Sequence, residues 1–230
     1  MRILSSLATV ALLAGPALAD DAKGMITVTG EGQVAVVPDM ATISLGVTVN
    51  GDTAKAALDA NSAALAAVLE RLTAAGIEAK DVQTSGLSLG PIYDYSSSSS
   101  GGAQKVQGYN ASNMVTVQVR SIEQVGPVLD ASVTDGANML NGITFGLLDP
   151  VPATDEARKK AVEDARRKAA LYAGAAGVEL GKIVSITEGG SFGAPVMMGG
   201  AAFAKADSVP VAAGEMTVGA SVTVTFAVAD

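Results

Sequence analysis

Between Pro152 and Gly190 alanine recurs at three- and four-residue intervals: Ala157, Ala161, Ala165, Ala169, Ala173 and Ala176, with Tyr172 completing the set. That spacing places them on one stripe of an α-helix. A stripe of such small side chains lets a helix lie close against a sheet. The outward positions carry acids four residues ahead of bases: Asp155 with Lys159, Glu156 with Lys160, Glu163 with Arg167 and Asp164 with Lys168. This is the favourable order for ion pairs on a helix surface, so the charges read as a solvated face and not as a site. Gly174-Ala175-Ala176-Gly177 ends the helix, and a strand follows over 183–188.

The rest of the chain supplies strands with one apolar face. Ile26 and Val28 alternate with Thr27 and Thr29. After the break at Pro38-Asp39, Ala41, Ile43, Leu45, Val47 and Val49 alternate with Thr42, Ser44, Gly46, Thr48 and Asn50. The last strand places Met216, Val218, Ala220, Val222, Val224, Phe226 and Val228 on one side, with Thr217, Ser221, Thr223 and Thr225 on the other. Apolar on one face and hydroxyl-rich on the other, such strands fit an antiparallel sheet covered on one side only. Asp52 or Thr53 can cap a helix whose stripe runs Ala54, Ala57, Leu58, Asn61, Leu65, Val68, Leu69, Leu72 and which Gly76 stops. Asn61, on that stripe, is expected to be buried and hydrogen-bonded to a neighbouring loop. The flanks of a serine tract, 87–95 and 105–120, form a hairpin. A short helix begins at Ser121 and ends by Gly136, with a strand over 143–148. The order strand, helix, strand occurs twice, over 26–89 and from Lys105 through the charged helix. It suggests an internal pseudo-repeat in which both halves share one sheet and the helices cover the same face. The expected fold is therefore α+β, a mostly antiparallel curved sheet with helices packed on one face.

The N-terminus begins Met1-Arg2, continues through an apolar run to Leu13, and reaches Ala17-Leu18-Ala19 before Asp20-Asp21. A basic start, a short apolar core and an A-x-A site read as a secretory signal peptide cleaved after Ala19. The run is too short for a membrane span, and no later segment is long and apolar enough to cross a bilayer. The remaining 20–230 is expected to form a single domain, or two intimately joined halves at about 25–92 and 105–230. The net charge is −8, and loss of Arg2, the one charge in residues 1–19, makes it −9. An acidic surface disfavours nucleic acid and anionic lipid as partners.

Neither cysteine nor histidine is present. That excludes Ser-His-Asp and Cys-His nucleophile systems, the zinc sites that depend on those ligands, and a thiol peroxidase cycle. Glu31 with Asp39 could in principle serve as a carboxylate acid and base, which would require a defined separation and a cleft. Gly30-x-Gly32 lacks the third glycine of a dinucleotide fingerprint, since Ala35 takes its place and no helix follows, so it reads as a bulge or turn. The Gly-, Ala- and Met-rich stretch 189–214 reads as a flexible hairpin loop. Within it Met197, Met198 and Phe203 are the candidate residues for contact with a partner or another subunit. The two methionines are alternatively oxidant targets or soft ligands for copper, although two methionines without histidine or cysteine make a poor metal site.

Several pieces in one order carry a family resemblance: Thr29-Gly30-Glu31-Gly32 leading to Pro38-Asp39; Gly76-Ile77 with Asp81-Val82-Gln83-Thr84; Gly108-Tyr109-x-Ala111-x-Asn113. They continue with Gly136-Ala137-Asn138 and Gly142-Ile143-x-Phe145, Asp164-Ala165-Arg166-x-Lys168-Ala169, and Gly177-Val178-x-Leu180-Gly181-x-Ile183. As a set they resemble the SIMPL domain family and cover nearly all of the chain after the signal peptide. The resemblance implies an exported periplasmic α+β protein, of a kind described in bacteria as periplasmic or outer-membrane-associated immunogenic proteins, some linked to oxidative-stress defence. It implies a homo-oligomer and supplies no catalytic residue, metal or cofactor. A eukaryotic relative associates with a signalling kinase.

Together these readings point to a non-enzymatic envelope protein that assembles with itself, by extension into a channel-like ring, and acts by binding or scaffolding, with another envelope protein as a possible partner. Oxidative-stress defence, indirect or through sacrificial methionines, is the alternative. Amino-terminal sequencing of the exported protein is expected to begin at Asp20; a chain still starting at Met1 would contradict the leader reading.

Overall fold

A computed structural model describes residues 24–94, 105–134, 136–189, 196–198 and 211–229. Residues 1–19, read above as a leader, the serine tract and Phe203 lie outside them. Among the described residues eleven α-helices and strands follow in order: β1 Met25–Val36, β2 Met40–Gly51, α1 Ala54–Ala74, β3 Val82–Asp94, β4 Lys105–Val119, α2 Val125–Thr134, β5 Met139–Gly146, α3 Val151–Ala176, β6 Glu179–Glu188, β7 Val196–Met198 and β8 Glu215–Ala229. The α+β class holds, with every strand pairing among the described residues antiparallel.

Among the described residues the strands form two four-stranded sheets where the alternation suggests one. One runs β3-β4-β2-β5. The other runs β1-β8-β6, with β7 also on β8. The break at Val37-Asp39 is the reason: β1 and β2 part there and enter different sheets. Asp39 fixes the crossover, its N–H donating to the Gly146 carbonyl and its Oδ1 accepting from the Leu148 N–H.

The strand-helix-strand repeat lies inside the first sheet. β2-α1-β3 and β4-α2-β5 are two such units sharing one sheet, the β-α-β-β-α-β order of the split βαβ motif. Both helices cover the same face, over a core of Ile43, Leu45 and Val47 from β2, Val115, Val117 and Val119 from β4, Leu65, Val68 and Leu72 from α1, and Val125, Val128 and Leu129 from α2. The charged helix does not belong to this repeat. It covers the second sheet with a separate core of Ala157, Ala161, Ala165 and Ala169 against Val28, Val222, Val224 and Phe226.

The caps follow the sequence. Thr53 accepts from the Ala56 N–H at 3.1 Å and caps α1, leaving Asp52 outside. Gly177 takes φ +70 at the end of α3, a left-handed position suited to glycine. The alanine stripe stops at Ala173, since Tyr172 and Ala176 are exposed.

Gly30 and Gly32 explain the closeness of α3. They lie within a continuous β1-β8 register, neither in a bulge nor in a turn. A Cβ on Gly30 would fall on the Ala161 carbonyl and 2.7 Å from the Ala165 Cβ, and one on Gly32 would fall on the Ala157 carbonyl and 2.9 Å from the Lys160 Cβ. The helix backbone occupies the space that side chains would need. Gly30→Ala is therefore expected to force α3 off the sheet and destabilise the fold by about 3 kcal/mol or more, read by urea unfolding. Unchanged stability would show that the helix does not sit this close.

Candidate functional site

The charged residues of α3 have a second use beyond solvation. β1 is an edge strand, and edge strands expose unpaired backbone groups. Here α3 closes that edge: Lys168 Nζ donates to the Thr29 carbonyl at 2.9 Å, Asp164 Oδ2 accepts from the Glu31 N–H at 3.1 Å, and Lys160 Nζ donates to the Gln33 carbonyl at 3.2 Å. Residues 29, 31 and 33 alternate, as the outward-pointing groups of an antiparallel edge must. Asp164 also pairs with Arg167 at 2.6 Å and Lys168 at 2.7 Å. Lys168 foremost, then the Glu31 N–H and Arg167, hold its carboxyl well below the ordinary carboxylate range.

Of the four ion pairs expected on α3, only Asp164–Lys168 forms at i+4 among the described residues. Asp155 pairs with Arg158 and Glu156 with Lys159, both at i+3. Arg158 also reaches Glu188 of β6 at 2.8 Å. Lys160 and Lys168 are drawn inward to β1, which changes the pairing available to their neighbours.

Other polar residues, among them Asp81, Asn113 and Asn138 of the family resemblance, lie within the scaffold. Arg120 grips Asp81 with two 2.7 Å hydrogen bonds, lowering the carboxyl and raising the guanidinium. Asn61 is buried as expected, yet it bonds strands instead of a loop: its Nδ2 donates to the carbonyls of Val47 on β2 and Ala111 on β4. The buried Oδ1 atoms of Asn61 and Asn113 have no hydrogen-bond partner among the described residues. Asn138 continues the β5 ladder with its side chain, its Oδ1 accepting from the Thr48 N–H and its Nδ2 donating to the Thr48 carbonyl, both at 2.8 Å.

Glu31 and Asp39 occupy separate settings, one on an exposed position of β1 and the other holding the β1–β2 crossover. Among the described residues no cluster of three or more acids, histidines or cysteines could hold a metal, and no helix is long and apolar enough to cross a membrane. Met197 and Met198 are not wholly in a loop. They belong to the short strand β7, where Met197 lies opposite Met216 and Met198 opposite Glu215 of β8.

Both sheets leave a hydroxyl-rich face away from their helices. On the second sheet Thr27 and Thr225 share a hydrogen bond at 3.0 Å, and Thr29 and Thr223 one at 3.4 Å. The first sheet adds a property that strand-by-strand reading missed. β2 and β5 contain no charged residue, nor do Val82–Tyr93 of β3 or Val106–Val119 of β4. Its open face runs in uncharged rows such as Gln83–Thr116–Ser44 and Ser88–Ser112–Thr48. Its edge strand β3 is exposed from Gln83 through Leu89, with Leu87 62% and Leu89 44% exposed. The signal was present as charge-free windows, but joining them required the pairing order.

Two open antiparallel sheets, each with helices on one face, define an α+β scaffold. Its sequence matches SIMPL, "Protein of unknown function (DUF541)", over residues 26–226. It is 39% identical over 208 residues to the 26 kDa periplasmic immunogenic protein of Brucella melitensis, covering 87% of this chain and 83% of that one. The protein of the same name from Brucella abortus shows the same identity and coverage. Uncharacterized protein YggE of Escherichia coli K12 is 30% identical over 190 residues, covering 83% of this chain and 75% of that protein. The chain belongs to the SIMPL family. None of these names describes an enzyme.

Because its folded-state value is depressed, ionised Asp164 contributes stability that is fully present above its ordinary value of 3.8 and is lost as pH falls below it. Asp164→Asn should lower stability at neutral pH and flatten the decline between about pH 4 and 2, followed by urea unfolding at each pH. An acid limb of unchanged steepness would show that Asp164 does not couple folding to protons.

Proposed function

We propose that this protein is an exported periplasmic protein that assembles with copies of itself and acts by binding or scaffolding in the envelope. The name of the Brucella relatives supports the compartment. The observation that carries the assembly is the uncharged first sheet in a chain of net charge −8. Copies of an acidic chain repel one another over most of their surfaces. The uncharged sheet is where that repulsion is weakest, and β3 offers an exposed edge on which a strand from another copy can pair.

The closed β1 edge adds direction to this reading. With Lys160, Asp164 and Lys168 engaged along β1, that edge is a poorer template than β3, which is exposed from Gln83 through Leu89. A ring closed on itself and enclosing a channel is the narrower form of the assembly.

Light scattering of the leader-free protein is expected to give a mass well above one chain. Leu87→Lys with Leu89→Lys should return it to monomer, with the circular dichroism spectrum unchanged. A wild-type protein that stays monomeric at every concentration would refute the assembly.

A further inference from the structure

A cavity of about 180 Å³ lies where the C-terminal end of α2 meets β5. Its floor is core: Leu45 and Leu129 are buried, and Ala137 closes one wall. Its rim is Val133 in the last turn of α2 and Leu140 on β5, which are 63% and 54% exposed. Leu140 pairs in register with Leu45, which faces the helices, so it stands on the covered face of the sheet. Yet it is left in solvent. The cause is local: α2 is only ten residues long, β5 is the sheet edge, and the β2–β5 register shifts between Ser44 and Leu45. The helix layer stops before the apolar face does.

The polar atoms around the cavity are engaged within the protein. Ser132 Oγ donates to the Val128 carbonyl at 2.7 Å, Asn138 binds the Thr48 backbone through both side-chain atoms, and Met139 Sδ lies 3.5 Å from Ser112 Oγ. No charged side chain is among the described residues that line it. Such a lining gives water few partners and gives an ionised ligand no counter-charge. An apolar cavity of about 150 Å³ is enough to bind benzene.

We infer that this cavity is a binding site for a small, uncharged, apolar molecule about the size of one aromatic ring. The inference is independent of self-assembly, because it rests on the cavity's lining and volume within one chain. Recognition comes from shape and burial, and discrimination comes from the desolvation cost that a charged analogue would bear.

The test titrates methyl-labelled protein with benzene and, separately, with benzoate, reading ¹H–¹³C spectra. Benzene should produce saturable shifts confined to methyls of Leu45, Leu129, Val133, Ala137 and Leu140. Benzoate should bind at least about tenfold more weakly, the consequence of placing an unpaired charge in an apolar site. Leu140→Trp, a change at an exposed rim position, should weaken benzene binding at least about tenfold by filling the mouth. Ala137→Leu fills the cavity from within and should do the same. Non-saturable or surface-wide shifts, equal binding of benzoate, or undiminished binding in a folded filled variant would overturn the inference. Should neither variant fold, the wild-type comparison of benzene with benzoate decides it.

Discussion

The contact between the backbone of α3 and the backbone of β1 is possible only because Gly30 and Gly32 face Ala157, Ala161 and Ala165. Small residues on both sides remove the usual side-chain layer between helix and sheet. Little apolar area is then available per residue, and what binds the seam is close packing over many turns. The same closeness brings Lys160, Asp164 and Lys168 within reach of the β1 backbone. Packing and edge closure are thus two results of one geometry: a larger residue at position 30 or 32 would lift the helix and withdraw those side chains together.

That seam separates the molecule into surfaces of different character. The second sheet has one edge engaged by charged side chains and a helix face bearing the acid and base pairs. The first sheet carries a core of branched aliphatics beneath α1 and α2, and apart from the terminal pair Asp94–Lys105 its strands hold no charge. In an acidic chain, uncharged surface is unevenly distributed, and its concentration on one sheet gives the molecule a direction in which like copies can approach. Several residues behind the family resemblance maintain this arrangement: Asp39 holds the crossover, Asp81 grips Arg120, and Asn138 extends the ladder, while Asn61 on the α1 stripe ties β2 to β4.

Much of this was legible in the sequence. The four-residue repeat of alanine places α3 against a sheet, Asp52 or Thr53 marks the start of α1, and alternation finds β1, β2, β4 and β8. Alternation reports which side of a strand is apolar, but it does not report which strand lies beside it. For that reason alternation suggests one sheet where β1 and β2 diverge after Val36. It also groups the charged helix with a repeat that belongs to β2-α1-β3 and β4-α2-β5. Gly30-x-Gly32 was recognised as structural, but its role depends on α3, more than a hundred residues away, and no local pattern could reveal it. The uncharged sheet and the cavity beside Leu140 were hidden for the same reason, since each is made by tertiary neighbours. Met197 and Met198 gained a strand pairing that their Gly-rich surroundings did not suggest.

Hydrogen exchange measured across a range of protein concentrations tests the central claim most directly, because it reads both edges in one experiment. If α3 closes β1 and leaves the first sheet for assembly, the Glu31 amide will be protected at every concentration, and amides of β3 between Gln83 and Leu89 will gain protection as concentration rises. A rapidly exchanging Glu31 amide, or β3 amides whose exchange is the same in dilute and concentrated protein, would contradict the account.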